Sequence, residues 1–100
     1  MPLNESFHLQ EGVLWCDGVP LDAIGYAVGT PAYVYSAERI RTNVARLQAA
    51  FAPLNADIHY SLKANANLAI VRLLADLGLG MDAVSGGEIA RALRAGVPGE

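Results

Sequence analysis

The sequence predicts an α/β fold, the N-terminal part of a (β/α)8 (TIM) barrel preceded by a short β-hairpin. Three β-prone runs, which begin near residues 32, 57 and 80, alternate with amphipathic helical patterns. This alternation with short connections predicts parallel strands joined by right-handed crossovers. A doubly wound sheet has the same order of elements, but Ser36-Ala37-Glu38 stands where a dinucleotide-binding unit would carry its glycine fingerprint. The barrel is therefore the favoured architecture.

The N-terminal segment differs from this repeat. Phe7–Gln10 and Val13–Cys16 flank Glu11-Gly12, and two β-prone runs around such a pair predict a hairpin. A short helix that ends near Gly29 is predicted to follow. Residues 1–29 therefore stand apart from the repeat that follows.

Residues 30–100 contain the first three predicted βα units. Ser36 and Ser85 each precede a helical pattern and are predicted to cap it, and residues 65–67 lead into the helix between them. Apolar residues recur at helical spacing in all three: Ile40, Val44, Leu47 and Phe51, then Ile70, Val71, Leu74 and Leu77, then Ile89, Ala92 and Leu93. A complete barrel needs about 250 residues. We therefore expect the chain to be part of a longer protein, and the isolated piece to be inactive.

Composition argues against several classes of function. Hydrophobic residues make up 53% of the 100 residues, which is too apolar for a disordered tail. The formal charge of −3 and the lack of a basic stripe argue against nucleic-acid binding. No apolar run is long enough for a membrane span, so we expect a cytoplasmic protein. Cys16 is the single cysteine, which leaves no intrachain disulfide and no multi-cysteine metal site.

Lys63 is the only lysine, and every other basic side chain is an arginine. Arginine stays protonated in proteins, whereas a desolvated lysine can lose its proton and act as an amine nucleophile. Lys63 follows the second predicted strand, and barrel active sites lie at the carboxyl ends of strands. Such a lysine is suited to forming a Schiff base with an aldehyde cofactor. A solvated lysine in a strand-to-helix loop explains the position equally well, so position alone leaves both interpretations open.

Two acidic residues near the third predicted strand are further candidates. Asp82 stands in a short apolar run, where a carboxylate is costly unless paired, so we expect it to pair with Lys63 or to contact a cofactor. An aspartate that faces water at an edge is the alternative. Ser85-Gly86-Gly87-Glu88 has the spacing of a capping box, which makes capping the main predicted role of Ser85. Glu88 is a capping residue that can also serve a cofactor site.

Three stretches together resemble the fold-type III pyridoxal-phosphate decarboxylases. Tyr60-Ser61-Leu62-Lys63-Ala64-Asn65-Ala66-Asn67 is similar to their cofactor-lysine motif Y-A-x-K-A-N-x-N. Gly29–Tyr35 resembles the segment that leads into the first barrel strand of the diaminopimelate decarboxylases, and Asp82–Glu88 resembles their D-V-V-S-G-G-E stretch. The stretches occur in the family's order, and the resemblance as a whole covers nearly the whole chain. Ser61 departs from the commoner alanine.

The resemblance implies a barrel of the alanine racemase type that binds pyridoxal 5'-phosphate, and it implies that residues 1–29 contribute to a separate β-domain. It implies that Lys63 is the Schiff-base lysine, that Asp82 is a cofactor-binding residue, and that Glu88 is a second one. It implies decarboxylation of meso-diaminopimelate to L-lysine by a homodimer with shared active sites. The resemblance implies that the family's phosphate-binding loop, pyridine-nitrogen glutamate, substrate arginine and catalytic cysteine lie downstream of these residues, and Cys16 matches none of them.

Other members of the same fold remain alternatives. Alanine racemases usually carry tyrosine-glycine where Asn67-Leu68 stands, and ornithine decarboxylases usually carry lysine-threonine where Gly86-Gly87 stands. These differences favour diaminopimelate as the amino-acid substrate. A decarboxylase of ornithine or arginine, a racemase, and a non-catalytic pyridoxal-phosphate-binding protein stay open.

Overall fold

The computed structural model describes residues 5–99. Its elements are β1 (Phe7–Gln10), β2 (Val13–Cys16), β3 (Val19–Pro20), α1 (Leu21–Val28), α2 (Ala37–Phe51), a 3-10 turn (Ala52–Leu54), β4 (His59–Ser61), α3 (Leu68–Asp76), β5 (Gly80–Asp82) and α4 (Gly86–Arg94). The chain divides into two compact units, one up to Asn43 and one from Val44 onward. No helix within residues 5–99 combines the length and apolarity that crossing a bilayer demands.

The N-terminal unit contains the predicted hairpin. β1 and β2 pair antiparallel, with Phe7 opposite Cys16 and Gln10 opposite Val13. Glu11 and Gly12 have φ angles of 51° and 79°. Two successive positive φ angles belong to the two-residue turn whose twist matches that of a hairpin. The prediction of a hairpin around these two residues is confirmed.

A second turn of the same kind adds a strand that the sequence analysis does not predict. Asp17 and Gly18 have φ angles of 50° and 80°, and Val19 pairs with Cys16 beyond them. The short β3 strand leads directly into α1, which ends at Val28 and is capped by Gly29, in agreement with the predicted end near Gly29. Cys16 is buried. Burial, and next to it the negative charge of Asp17, raises the pKa of the Cys16 thiol, as befits a structural cysteine.

The start of α2 is held by two side chains that are distant in sequence. Ser36 Oγ accepts a hydrogen bond from the Arg39 amide at 2.9 Å, so the prediction that Ser36 caps this helix is confirmed. Ser36 Oγ also donates to Asp17 Oδ1 at 2.6 Å, and the Glu38 amide donates to Asp17 Oδ2 at 3.1 Å. A carboxylate that accepts free amides stabilises a helix start, and Asp17 thereby ties the hairpin to α2.

The run Ala32–Tyr35 does not form the predicted first strand. Within residues 5–99 it has no strand partner, and Tyr33 is 91% exposed. A β-prone run becomes a strand only when a neighbour supplies the ladder of hydrogen bonds. The prediction of a strand here is therefore wrong for the described residues. The assignment of residues 1–29 to a separate β-domain stays a prediction.

In the C-terminal unit, β4 and β5 form the predicted parallel pair joined through α3. Tyr60 lies opposite Met81, and Ser61 opposite Asp82. The Leu62 amide donates to the Asp82 carbonyl at 3.1 Å and continues the ladder past the end of β4. Both strands are shorter than the β-prone runs that predict them, residues 57–62 for β4 and residues 81–84 for β5.

The core of this unit lies on one face of the strand pair. Its buried members are Leu62, Val71, Ala92 and Ala95, and the side chains of Tyr60, Leu68, Met81 and Val97 pack against them. Register partners Tyr60 and Met81 therefore share the face that contacts α3 and α4. His59 and Gly80 share the opposite face, where a Cβ on Gly80 would lie 2.7 Å from the His59 ring. Glycine leaves room there for the imidazole.

Candidate functional site

Lys63 lies in a β-turn directly after β4. The Ala64 amide donates to the Ser61 carbonyl at 3.2 Å, which closes a turn with Leu62 and Lys63 at its centre. Lys63 is exposed, whereas the side chain of Leu62 is fully buried in the core. The buried leucine therefore anchors the turn that presents the amine at the carboxyl end of the strand.

The residues after Lys63 are held by the polar side chains of the lysine motif. Tyr60 Oη donates to the Asn65 carbonyl at 2.7 Å. Asn65 Oδ1 accepts from the Asn67 amide at 3.0 Å, and Asn67 Oδ1 accepts from the Ala69 amide at 2.9 Å. Asn67 thus caps α3, and Asn65 forms an Asx turn before it. The tyrosine and both asparagines of the motif each fix the backbone of the loop that carries Lys63.

The segment after β5 forms a variant of the predicted capping box. Ser85 Oγ accepts from the Glu88 amide at 3.1 Å, which confirms Ser85 as the cap of α4. Glu88 Oε1 accepts from the Val84 amide at 3.2 Å, one residue earlier than the Ser85 amide of a standard box. One carboxylate oxygen of Glu88 is therefore engaged in holding the start of α4.

Asp82 is the last residue of β5 and is exposed. Its carbonyl accepts from Leu62, the neighbour of Lys63, so the two candidate residues belong to adjacent strand ends. No ion pair joins Lys63 to Asp82 within residues 5–99, where Arg72 and Asp76 form the one ion pair. The expected pairing of Asp82 with the lysine is thus not observed, and contact with a cofactor remains the open expectation.

Ser61 buries a polar atom beside this edge. Its Oγ is inaccessible to water and has no hydrogen-bond partner within residues 5–99. A buried hydroxyl without a partner is unfavourable, which gives a physical reason for the commoner alanine at this position of the motif. The serine nevertheless leaves the turn at Lys63 closed.

Arg91 is a residue that sequence reasoning missed. From α4 its Nε donates to the Ala66 carbonyl at 2.9 Å, inside the loop that follows Lys63. The two residues are far apart in sequence, and an arginine in the last turns of a helix is normally explained by the helix dipole. No local pattern in the sequence could therefore have indicated this contact.

The site presents the amine of Lys63, a group that reacts with electrophilic carbonyls. Lys63 is exposed on a turn whose backbone is hydrogen-bonded on both sides, and a carboxylate stands at the end of the neighbouring strand. An accessible amine can condense with an aldehyde, and strand ends are where barrels bind cofactors. Lys63 therefore fits the covalent attachment of pyridoxal phosphate.

The chain belongs to the pyridoxal-dependent decarboxylases, since the profile of their pyridoxal-binding domain matches residues 37–100. It is 48% identical over 83 residues to the diaminopimelate decarboxylase of Neisseria meningitidis serogroup B, covering 83% of this chain and 20% of that enzyme. The diaminopimelate decarboxylase of Aquifex aeolicus is 41% identical over 97 residues, covering 97% of this chain and 23% of that enzyme.

Solved structures of similar proteins have the same fold over these residues. The crystal structure of the Methanocaldococcus jannaschii diaminopimelate decarboxylase in complex with L-lysine superposes with a TM-score of 0.87 at 41% identity. The match covers 97% of this chain and 24% of that one. The chain thus spans about a fifth of the length of the curated relatives it matches. The predicted fold class, the N-terminal segment of the barrel, is confirmed.

We predict that Tyr60→Phe loosens the lysine loop, which consists of residues 62–67. Phenylalanine keeps the ring against the core but removes the donor to the Asn65 carbonyl, so the free energy of unfolding should fall by about 0.5–1.5 kcal/mol. The measurement is urea unfolding of the protein that carries this chain. Tyr26→Phe is the matched control, because Tyr26 is 93% exposed. Equal stability of the two variants would contradict a role for the hydroxyl.

Proposed function

We propose that the protein carrying this chain decarboxylates meso-diaminopimelate to L-lysine with pyridoxal 5'-phosphate as its cofactor. The observation that carries the proposal is Lys63, the only lysine of the chain, on a hydrogen-bonded turn at the carboxyl end of β4. The names of relatives at 41–48% identity support the substrate. The complex of one such relative with L-lysine supports the product.

Lys63 is the proposed catalytic residue. Its Nζ would hold the cofactor covalently at the aldehyde carbon. Bound pyridoxal phosphate supplies an electron sink for the pair of electrons left on the α-carbon when carbon dioxide departs. The hydrogen bonds from Tyr60 and within Asn65–Asn67 hold the attachment point, so that the amine meets the cofactor in one orientation.

Asp82 and Glu88 are the proposed cofactor-binding residues beside Lys63. Support for Asp82 comes from its place at the end of β5, hydrogen-bonded through its carbonyl to the residue before the lysine. Support for Glu88 comes from its place in the first turn of α4, directly after that strand. One oxygen of Glu88 holds the Val84 amide, which leaves the other for a ligand.

The proposal also covers the localisation and the assembly of the full-length protein. Because the chain spans about a fifth of its relatives, most of the residues that read the substrate and the phosphate lie outside it. We propose a cytoplasmic homodimer with shared active sites, on the strength of the family resemblance. The isolated chain is expected to be inactive, because most of these substrate-reading and phosphate-reading residues lie outside it.

The test is release of carbon dioxide from meso-diaminopimelate by the full-length protein with added pyridoxal phosphate. We expect release with L-lysine as the product. Release from ornithine or arginine instead would retain the fold and the cofactor and overturn the substrate. Racemisation without release would assign a racemase. Covalent cofactor binding without turnover of any amino acid would leave a non-catalytic binding protein.

A further inference from the structure

Arg91 makes the one hydrogen bond that the described residues show between the α4 helix and the lysine loop. Its Nε donates to the Ala66 carbonyl at 2.9 Å. Ala66 stands three residues after Lys63, between Asn65, which accepts from Tyr60, and Asn67, which caps α3. Hydrogen bonds from β4, at the start of α3 and from α4 therefore hold the loop.

The backbone of α4 is fixed relative to Lys63. Ala92, the neighbour of Arg91, and Ala95 are buried in the same cluster as Leu62, the residue before Lys63. Close packing in a core allows little relative movement of its members. The stem of Arg91 thus starts from a fixed point, and its guanidinium contacts a second point, the Ala66 carbonyl three residues after Lys63.

We infer that Arg91 is a positioning residue, which holds the loop carrying Lys63 in the orientation that cofactor attachment requires. The inference rests on the proposed function. Arg91 does not touch the cofactor in this account: it acts through the Ala66 carbonyl, and the charge of the guanidinium strengthens that hydrogen bond. Without it, the Ala66 carbonyl turns to water and the loop samples further conformations.

The experiment compares Arg91→Met with Arg94→Met in the full-length protein. Arg94 lies on the same helix, is exposed, and forms no side-chain hydrogen bond within residues 5–99, so both changes remove one positive charge near the end of α4. The first readout is amide hydrogen exchange in the peptide that covers residues 62–67. We expect faster exchange in Arg91→Met alone, because the loop opens locally more often.

The second readout is affinity for pyridoxal phosphate, together with the pH dependence of the visible absorption of the bound cofactor. We expect Arg91→Met to bind about tenfold more weakly, which corresponds to about 1.4 kcal/mol, with a changed pH profile. Arg91→Lys should restore most of the affinity, since an ammonium also donates to a carbonyl. A general loss of stability would lower the urea midpoint. We expect Arg91→Met to lie only slightly below Arg94→Met, because the lost hydrogen bond is exposed.

Each outcome decides a different claim. Unchanged exchange at residues 62–67 in Arg91→Met overturns the hydrogen bond as a restraint. Faster exchange with unchanged cofactor affinity and pH profile overturns the positioning role. A wild-type protein that binds no pyridoxal phosphate overturns the proposed function and with it the positioning role, while the exchange measurement still decides whether Arg91 restrains the loop.

Discussion

Lys63→Ala is expected to abolish covalent attachment of pyridoxal phosphate and to reduce decarboxylation by at least about a hundredfold, the loss that misplacement of a reacting group causes. The reason is chemical, because alanine has no amine to condense with the cofactor aldehyde. No second lysine lies within these 100 residues. Turnover is measured by carbon dioxide release, and attachment by the visible absorption of the protein.

Lys63→Arg is the matched control for charge. Arginine keeps the positive charge and the length of the side chain, but it stays protonated and forms no Schiff base. Lys63 is exposed, so neither change should alter the free energy of unfolding by more than about 0.5 kcal/mol. Attachment or turnover that survives in both variants would show that the cofactor binds elsewhere.

Leu62→Ala is expected to have the second-largest effect, a loss of about 2–5 kcal/mol in the free energy of unfolding. Leu62 is fully buried among Val71, Ala92 and Ala95, and alanine would leave a cavity under the lysine turn. The variant should also bind pyridoxal phosphate more weakly, because the anchor of the turn is gone. Urea unfolding and cofactor titration of the same preparation measure both effects.

Leu54→Ala removes the same atoms from a side chain that is 73% exposed, and we expect a change within about 0.5 kcal/mol. A Leu62→Ala variant as stable as Leu54→Ala would mean that the core on this face does not hold the turn. A destabilised Leu62→Ala variant with normal cofactor affinity would separate the stability of the unit from the orientation of Lys63.

Local signals in the sequence predict much of this fold. Ser36 and Ser85 start helices as their residue types predict, and the pair Glu11-Gly12 turns the hairpin. The run Ala32–Tyr35 shows the limit of such signals, because a strand depends on a neighbour that local sequence does not describe. β3 was missed for a related reason: Val19-Pro20 is a strand only because a tight turn folds it back on β2.

The candidate site likewise contains one feature that the sequence predicts and one contact that it does not. Lys63 and Asp82 could be predicted to lie near each other, since the carboxyl ends of parallel strands meet at one edge, and the hydrogen bond from Leu62 to Asp82 agrees with this. The contact of Arg91 with Ala66 could not be predicted, because it depends on how α4 packs against α3. The cofactor roles of Lys63, Asp82 and Glu88 remain predictions.

The most direct test of the central claim is to locate the cofactor on the chain. Borohydride reduction of the full-length protein loaded with pyridoxal phosphate converts a Schiff base into a stable secondary amine, and digestion followed by mass spectrometry identifies the modified peptide. We predict a single modified lysine, Lys63, in the peptide that contains the Tyr60–Asn67 motif. Modification of another lysine, or no modified peptide from a protein that decarboxylates diaminopimelate, would contradict the account.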